Sequence, residues 1–297
     1  MGICEDRVAV VTGAGAGLGR EHALEFARQG ARVVVNDVAD PEPVVQEILD
    51  MGGQAVPSTH DVSDWDDAGR LIRTALDAFG TVHTVVNNAG ILRDKMLVNM
   101  DVAQWDAVVK VHLRGTFCVT RHAIDHWRQR YKAGDPVTAP RIVNTSSPSG
   151  LFGNIGQANY GAAKAAVASF TLIAADELAR LSVGVNAIAP TALTDMTAGL
   201  DAYVTQVRET FERTGFDSGS PANIAPLVVY LGSPASEGIT GRVFTVKGGE
   251  IAVAETWVKG PRAEKQGRWE VAEIGGMLHQ LVAQARPNSR IDGSPRP

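Results

Sequence analysis

Tyr160 and Lys164 stand four residues apart in N-Y-G-A-A-K-A-A, an alanine-rich run without proline. At that spacing both side chains leave the same face of a helix, one turn apart. An ammonium beside a phenol favours the phenolate and lowers its pKa from about 10 toward working pH. A phenol tuned this way can pass a proton to a substrate oxygen or take one from it. Ser147 lies upstream, at the end of the apolar run R-I-V-N-T-S, where its hydroxyl could hold the same oxygen. Tyr-x-x-x-Lys alone is a weak signal, since a surface helix can carry both residues by coincidence, and the elements around it decide.

The first of these elements opens the chain. Arg7 to Thr12, R-V-A-V-V-T, is a β-branched run typical of a strand buried on both faces. T-G-A-G-A-G-L-G follows, Thr12 to Gly19, and then a segment in which Ala23, Phe26 and Ala27 share one helical stripe. Strand, glycine turn and helix are the setting of a dinucleotide site. The glycines let the backbone turn tightly and approach a pyrophosphate, and the helix N-terminus offers unpaired N–H groups. The next strand, A-R-V-V-V-N-D, stops at Asp37, 24 residues after Gly13. A carboxylate there accepts hydrogen bonds from the adenosine ribose and repels a 2′-phosphate, which favours NAD over NADP.

Helical and strand patterns then alternate. A helix spans Pro41 to Met51, and a third strand ends near Asp61 and Val62. Ser63 and Asp64 offer an N-cap to a helix with Ala68, Leu71, Ile72, Ala75 and Phe79 on one side, ended by Gly80. A fourth strand runs into Asn88, Ala89 and Gly90. A long helical pattern from Asp101 contains Gly115, which implies close packing, with a symmetry mate as one candidate partner. R-I-V-N-T-S is a fifth strand, S-V-G-V-N-A-I-A-P a sixth, stopped by Pro190, and G-R-V-F-T-V-K-G-G a seventh. Residues 191–220 suit a mobile lid at a strand's C-terminal end. The alternation predicts an α/β fold with a doubly wound parallel sheet. Residues 1–254 read as the catalytic domain. Residues 255–297 read as an extension, with a helix from Val271 to Ala285 and a polar, frayed tail.

A net charge of −5 gives no general basic surface, so nucleic acid is not a favoured partner. No apolar run approaches the ~18 residues of a membrane span. A strand follows the N-terminus almost at once, leaving no room for a signal peptide. Cys4 and Cys118 form no disulfide framework and match no metal spacing, as expected of reduced thiols in the cytoplasm. His122 and His126 have a zinc-compatible spacing without a third ligand, and a solvated helix face is the better reading. Trp65, Trp105, Trp127, Trp257 and Trp269 read as packing residues. Arg262, Lys265 and Arg268 read as a solvated or interface face, with an anionic CoA tail as the alternative partner.

T-G-x-x-x-G-x-G at Thr12 to Gly19, N-N-A-G at Asn87 to Gly90, Ser147, and Y-x-x-x-K at Tyr160 and Lys164 occur in order and at compatible spacing. Together they resemble the short-chain dehydrogenase/reductase family over about residues 5 to 250. The resemblance implies a Rossmann-like seven-stranded sheet of order 3-2-1-4-5-6-7 and hydride transfer with a nicotinamide cofactor. It implies that Gly13, Gly17, Leu18 and Gly19 shape the pyrophosphate turn and that Asp37 holds the adenosine ribose. Asp61 and Val62 would contact adenine, and Asn88, with Ala89 and Gly90, would lie along the cofactor. Tyr160 would be the general acid/base, Lys164 would bind the nicotinamide ribose, and Ser147 the substrate oxygen. Pro190, Thr191 and Leu193 would lie near the nicotinamide. The family usually forms homotetramers or dimers, so an oligomer is expected.

The chain departs from the family in places. V-H-L-R-G puts His112 where an Asn usually helps hold a relay water; an imidazole can also hold a water, and the alternatives are a damaged enzyme or a ring that merely packs. Thr191 replaces a Gly after Pro190, and Lys247 replaces an Asp in V-K-G-G. N-N-A-G-I-L-R-D, V-H-L-R-G-T-F and G-N-I-G-Q-A-N-Y resemble the (3R)-hydroxyacyl-CoA dehydrogenase branch. That branch occurs as a segment of peroxisomal multifunctional enzymes type 2 (the 17β-hydroxysteroid dehydrogenase type 4 group) and as stand-alone actinobacterial homologues. The expected substrate is a 3-hydroxyacyl-CoA, with a steroid or steroid side chain as one candidate acyl group. The rivals are a 3-oxoacyl-carrier-protein reductase, which Asp37 argues against, and a non-catalytic dinucleotide sensor or scaffold.

Overall fold

The computed structural model describes residues 2–194, 201–255, 257–291 and 293–295. The chain divides into two compact units, Met1–Ala254 and Glu255–Pro297. In the first, β1 (Val8–Thr12), β2 (Arg32–Asn36), β3 (Gln54–Ser58), β4 (Thr84–Asn87), β5 (Arg141–Thr145), β6 (Gly184–Thr191), β7 (Arg242–Lys247) and β8 (Glu250–Ala254) form one sheet. Its order is β3-β2-β1-β4-β5-β6-β7-β8. The first seven strands pair parallel, in the order the motifs imply. The eighth strand is a departure: β8 folds back and pairs antiparallel with β7, Lys247 facing Glu250. Gly248, at φ +53°, makes the tight turn possible. In sequence, V-K-G-G reads as the end of the sheet, and E-I-A-V-A carries no buried face to announce a strand.

Ten α-helices accompany the strands among the described residues. Those of the first unit are α1 (Gly17–Arg28), α2 (Glu42–Asp50), α3 (Trp65–Phe79), α4 (Val102–Val109), α5 (Gly115–Lys132), α6 (Pro148–Phe152), α7 (Ala158–Leu178), α8 (Asp201–Thr214) and α9 (Ala225–Gly232). Successive β1 residues point to opposite faces. Ala9 and Val11 join Phe26 of α1 and Val228 of α9 in one core, while Val8 and Val10 join Leu71 of α3 and Trp127 of α5 in the other. Each fully buried aliphatic contributes about 1.5–3 kcal/mol, so burial on both faces fixes the strand that carries the glycine turn.

Asp64 caps α3 by accepting from the backbone N–H groups of Asp66 and Asp67, and Gly80 ends it in the left-handed region. The third strand stops at Ser58, short of Asp61. The Asp61 carboxylate instead accepts from the Ser63 N–H at 2.8 Å and the Ser63 hydroxyl at 2.6 Å, and that local turn breaks the strand. The helical pattern after Asp101 is also interrupted: a π turn, Lys110–Arg114, separates α4 from α5. Gly115 packs within its own chain, where an added Cβ would lie 2.9 Å from Val62 Cγ2. Of the tryptophans, Trp127 is a core residue, but Trp65, Trp105 and Trp257 are exposed.

His122 and His126 bond different partners, the Trp65 carbonyl and the Thr81 hydroxyl. Cys4 and Cys118 are buried free thiols. No helix among the described residues is long and apolar enough to cross a membrane. In the second unit, α10 (Val271–Gln284) opens with a capping box between Glu270 and Glu273. Lys265 pairs there with Glu273 and lies over the Trp269 ring, and Arg262 pairs with Glu264.

Candidate active site

The glycine turn leaves no room for a side chain at Gly13 or Gly19. A Cβ on Gly13, which has φ +61°, would sit 2.7 Å from Ala89 Cα, and one on Gly19 would sit 2.0 Å from the Gly13 carbonyl oxygen. Gly17, at φ +55°, opens α1. Ala16 precedes it and provides no side-chain cap, so the first-turn N–H groups have no side-chain acceptor. Leu18 packs against the core beneath. Asp37 follows β2 and faces this turn: its Oδ2 accepts the Gly15 N–H at 3.0 Å and its Oδ1 the Ala39 N–H at 3.0 Å. A narrow backbone cradle, an uncapped helix start and a carboxylate at its rim fit the pyrophosphate and ribose of a dinucleotide.

Asn88 locks the neighbouring segment to the turn. Its Nδ2 donates to the carbonyls of Thr12 and Gly13, both at 3.1 Å. The backbone N–H groups of Asn88 and Ala89 both donate to the Thr12 hydroxyl. Val62 is buried against Gly115, so its side chain is a wall and not a free contact. Gly90 makes room for His112, because a Cβ there would lie 2.2 Å from His112 Cε1.

Ser147, Tyr160, Lys164 and His112 converge. Ser147 follows the end of β5 and caps α6, accepting the Ser149 N–H at 3.1 Å. Its hydroxyl is also near enough to the Tyr160 phenol to lower its pKa. Lys164 is buried, and its ammonium donates to the Thr145 carbonyl at 2.6 Å while lying 5.7 Å from the centre of the Tyr160 ring. Burial brings Lys164 down to about 7. Burial also raises the phenol of Tyr160; the Ser147 hydroxyl lowers it and the negative charge of Asp94 raises it further. In the protein alone, the expectation of a phenol lowered by Lys164 is therefore not met. The ammonium is turned onto a carbonyl, and the apolar surroundings that weaken its charge also disfavour a phenolate.

His112 sits in the π turn with its ring edge-on to Tyr160, the centres 5.1 Å apart. Nε2 is 3.0 Å from the Ile91 nitrogen and 2.8 Å from the Ile91 oxygen, so it finds a partner in either tautomer. Nδ1 is buried without a protein partner. Burial first, and then the nearby Lys164 charge, hold His112 down at about 3, so the ring is neutral.

At the other rim, Pro190 and Thr191 end β6 and Leu193 follows, its N–H donating to the Gly219 carbonyl at 2.7 Å. The Tyr203 hydroxyl of α8 donates to the Thr191 carbonyl at 3.4 Å. Lys247 donates to Gln206 Oε1 and lies 5.0 Å from the Tyr203 ring centre, so this cation holds α8. Of the expected lid, residues 195–200 lie outside the described residues.

The side chains that hold these groups do so through contacts the sequence does not announce. Asn87 donates to Thr120 and Asn144, and Asn144 donates to Thr171, a buried chain joining α5, β4, β5 and α7. Asn159 and Gln157 tie α7 to the loop after β4. Asparagine inside an apolar strand, as at Asn87 and Asn144, was the available signal, since a buried amide needs partners.

Known proteins resemble this chain over nearly its whole length. It is 43% identical over 301 residues to hydroxyacyl-CoA dehydrogenase ChsB1 of Mycobacterium tuberculosis, covering 97% of this chain and 92% of that protein. A short chain dehydrogenase from Mycobacterium avium has the same fold, with a TM-score of 0.88, 44% identity, and coverage of 97% of this chain and 99% of that one. Full-length peroxisomal multifunctional enzyme type 2 from Drosophila melanogaster matches with a TM-score of 0.73 at 34% identity. That alignment covers 93% of this chain and 45% of the other, so this chain spans less than half of that protein. The short chain dehydrogenase family model matches residues 7–204. Glycine turn, parallel sheet and converged Ser147, Tyr160 and Lys164 agree with that match, and the chain belongs to the short chain dehydrogenase family.

Proposed function

We propose that this protein is an NAD-dependent 3-hydroxyacyl-CoA dehydrogenase, interconverting a secondary alcohol and a ketone, with steroid or steroid side-chain acyl groups within its range. The observation that carries the chemistry is the convergence of the Ser147 hydroxyl on the Tyr160 phenol beside the buried Lys164. The hydroxyacyl-CoA class is supported by the 43% identity to ChsB1. Residues 1–254 would be the catalytic domain and residues 255–297 a helical extension with a flexible tail.

Gly13, Gly17, Leu18 and Gly19 would cradle the pyrophosphate, and Asp37 would accept the adenosine ribose hydroxyls. Asp61 and Val62 would border the adenine, Asn88, Ala89 and Gly90 the adenosine side, and Pro190, Thr191 and Leu193 the nicotinamide. A bound nicotinamide dinucleotide supplies the hydride acceptor or donor. Ser147 holds the substrate oxygen, and Tyr160 takes the hydroxyl proton during oxidation and returns it during reduction. Lys164 binds the nicotinamide ribose and passes charge and protons to the phenol. His112 extends this relay through a water on Nδ1, the buried nitrogen without a protein partner.

Asp37 favours NAD, because its carboxylate occupies the space and sign that a 2′-phosphate would meet. This argues against a carrier-protein-linked 3-oxoacyl reductase working with NADPH. The protein would work in the cytoplasm as a homotetramer or dimer. Steady-state oxidation of 3-hydroxyacyl-CoAs, hydroxysteroids and simple alcohols with NAD and NADP tests the reading. Turnover of acyl-CoA with NAD is expected, and no turnover of any acyl-CoA would sink it. If the protein binds NADH yet turns over no alcohol at all, the sensor reading takes its place.

A further inference from the structure

Two loops meet beside Tyr160. One leaves β4, passes His112 at Ile91 and reaches Lys95. The other leaves α6 at Gly153 and ends at Gln157, the residue before α7. Gln157 Nε2 donates to Asp94 Oδ2 at 2.7 Å. Its Oε1 accepts from the Ser149 hydroxyl at 2.7 Å and from Asn154 Nδ2 at 3.0 Å. The Lys95 N–H donates to the Gly156 carbonyl at 2.9 Å. Two residues on, buried Asn159 donates from Nδ2 to the Arg93 carbonyl at 3.0 Å and the Gln104 carbonyl at 3.2 Å. Its Oδ1 accepts the N–H of Tyr160 at 2.7 Å. A side chain at the start of a helix ordinarily turns back onto the first-turn N–H groups. Gln157 makes no such bond to α7 and directs its whole amide across the two loops.

We propose that Gln157 is a positioning residue for Tyr160: with Asp94 and Asn159 it joins the loop after β4 to the first turn of α7 and fixes both the place and the charge surroundings of the phenol. The inference rests on the reading of Tyr160 as the proton-transfer group. Around the phenol stand Lys164 from its own helix and His112 from the π turn, Ser147 from the end of β5, and Asp94, which Gln157 ties to the segment entering α7 and whose charge reaches the phenol. Asp94 is the one anion of the four. Its charge favours the neutral phenol, and the Gln157 amide holds that charge in place. The same amide reaches Ser149, two residues from Ser147, so one side chain links the strand end that carries the hydroxyl to the helix start that carries the phenol.

The test is a titration of the Tyr160 phenolate by its absorbance in the full chain, with Tyr160→Phe as the subtracted background. Asp94→Asn keeps an oxygen acceptor for Gln157 and removes the charge, so the midpoint should move to lower pH. Gln157→Ala should move it the same way, and adding Asp94→Asn to Gln157→Ala should then shift it little more. In steady state, Gln157→Ala should lower kcat about 10- to 100-fold, the scale of a small misplacement of a reacting group, with the KM for the dinucleotide unchanged. Midpoints unmoved by Asp94→Asn, or two shifts that simply add, would overturn the proposal. If Gln157→Ala fails to fold, Gln157→Asn, one carbon too short to reach Asp94, takes its place with the same expected shifts. If the wild type turns over no alcohol, the oxidoreductase reading fails while the titration still decides this one.

Discussion

A phenol held neutral by burial is a better proton donor at rest than a base, so the direction of its shift bears on the pH dependence of each reaction. Ketone reduction needs the neutral phenol and should persist to high pH, while alcohol oxidation should climb with pH as the phenolate forms. Measuring kcat/KM against pH in both directions checks this, and identical limbs for the two directions would count against Tyr160 as the shared group. Asp37→Ala should bring NADP and NAD closer by about tenfold in affinity, the equivalent of roughly 1.4 kcal/mol, as read by cofactor titration. At this scale the meeting of Tyr160 and Lys164 was legible, because four residues of helix put both on one face, and so was Asp37 beside the glycine turn, because it ends the second strand. Asp94 and Gln157 were not, because they are 63 residues apart and meet only after folding. The raised phenol was not legible either, since burial is a property of the assembled site.

Among the elements, the π turn at Lys110–Arg114 brings His112 beneath Tyr160. A π turn inserted into an otherwise α-helical run often marks a functional site. If His112 extends the relay, His112→Asn should keep most of the activity, and His112→Leu should lower kcat about 10²-fold with the dinucleotide KM unchanged. Equal loss in both variants would reduce His112 to packing. Gly115→Ala places a Cβ 2.9 Å from Val62 and should cost about 1–3 kcal/mol, measured by urea unfolding. The parallel strands, the helices and their caps were readable from β-branched runs, Asp64 and Gly80. The π turn was not, because the inserted residue steps the apolar phase by about 100°, and α4 before it has too few buried positions to reveal the step. β8 was not, because its pairing depends on a turn at Gly248 and not on a buried face.

For the whole molecule, buried histidines set the response to acid. His22 and His112 are both held at about 3 by burial, against about 6.5 in an unfolded chain. Between those values the unfolded chain binds more protons, so their contribution is complete above pH 6.5 and is lost as the pH falls toward 3. Both therefore steepen the loss of stability across that window. Urea midpoints from pH 7 to 4 should fall accordingly, with a shallower slope in His22→Leu. The division at Ala254 also invites a direct experiment: removing residues 255–297 and measuring size in solution tests whether the extension contributes to the oligomer. NADH formation from a 3-hydroxyacyl-CoA by the wild type and Tyr160→Phe shows whether Tyr160 carries the proton. The wild type should turn over, the variant should lose about 10²- to 10⁴-fold, and both should bind NADH equally. A variant as active as the wild type would contradict that role.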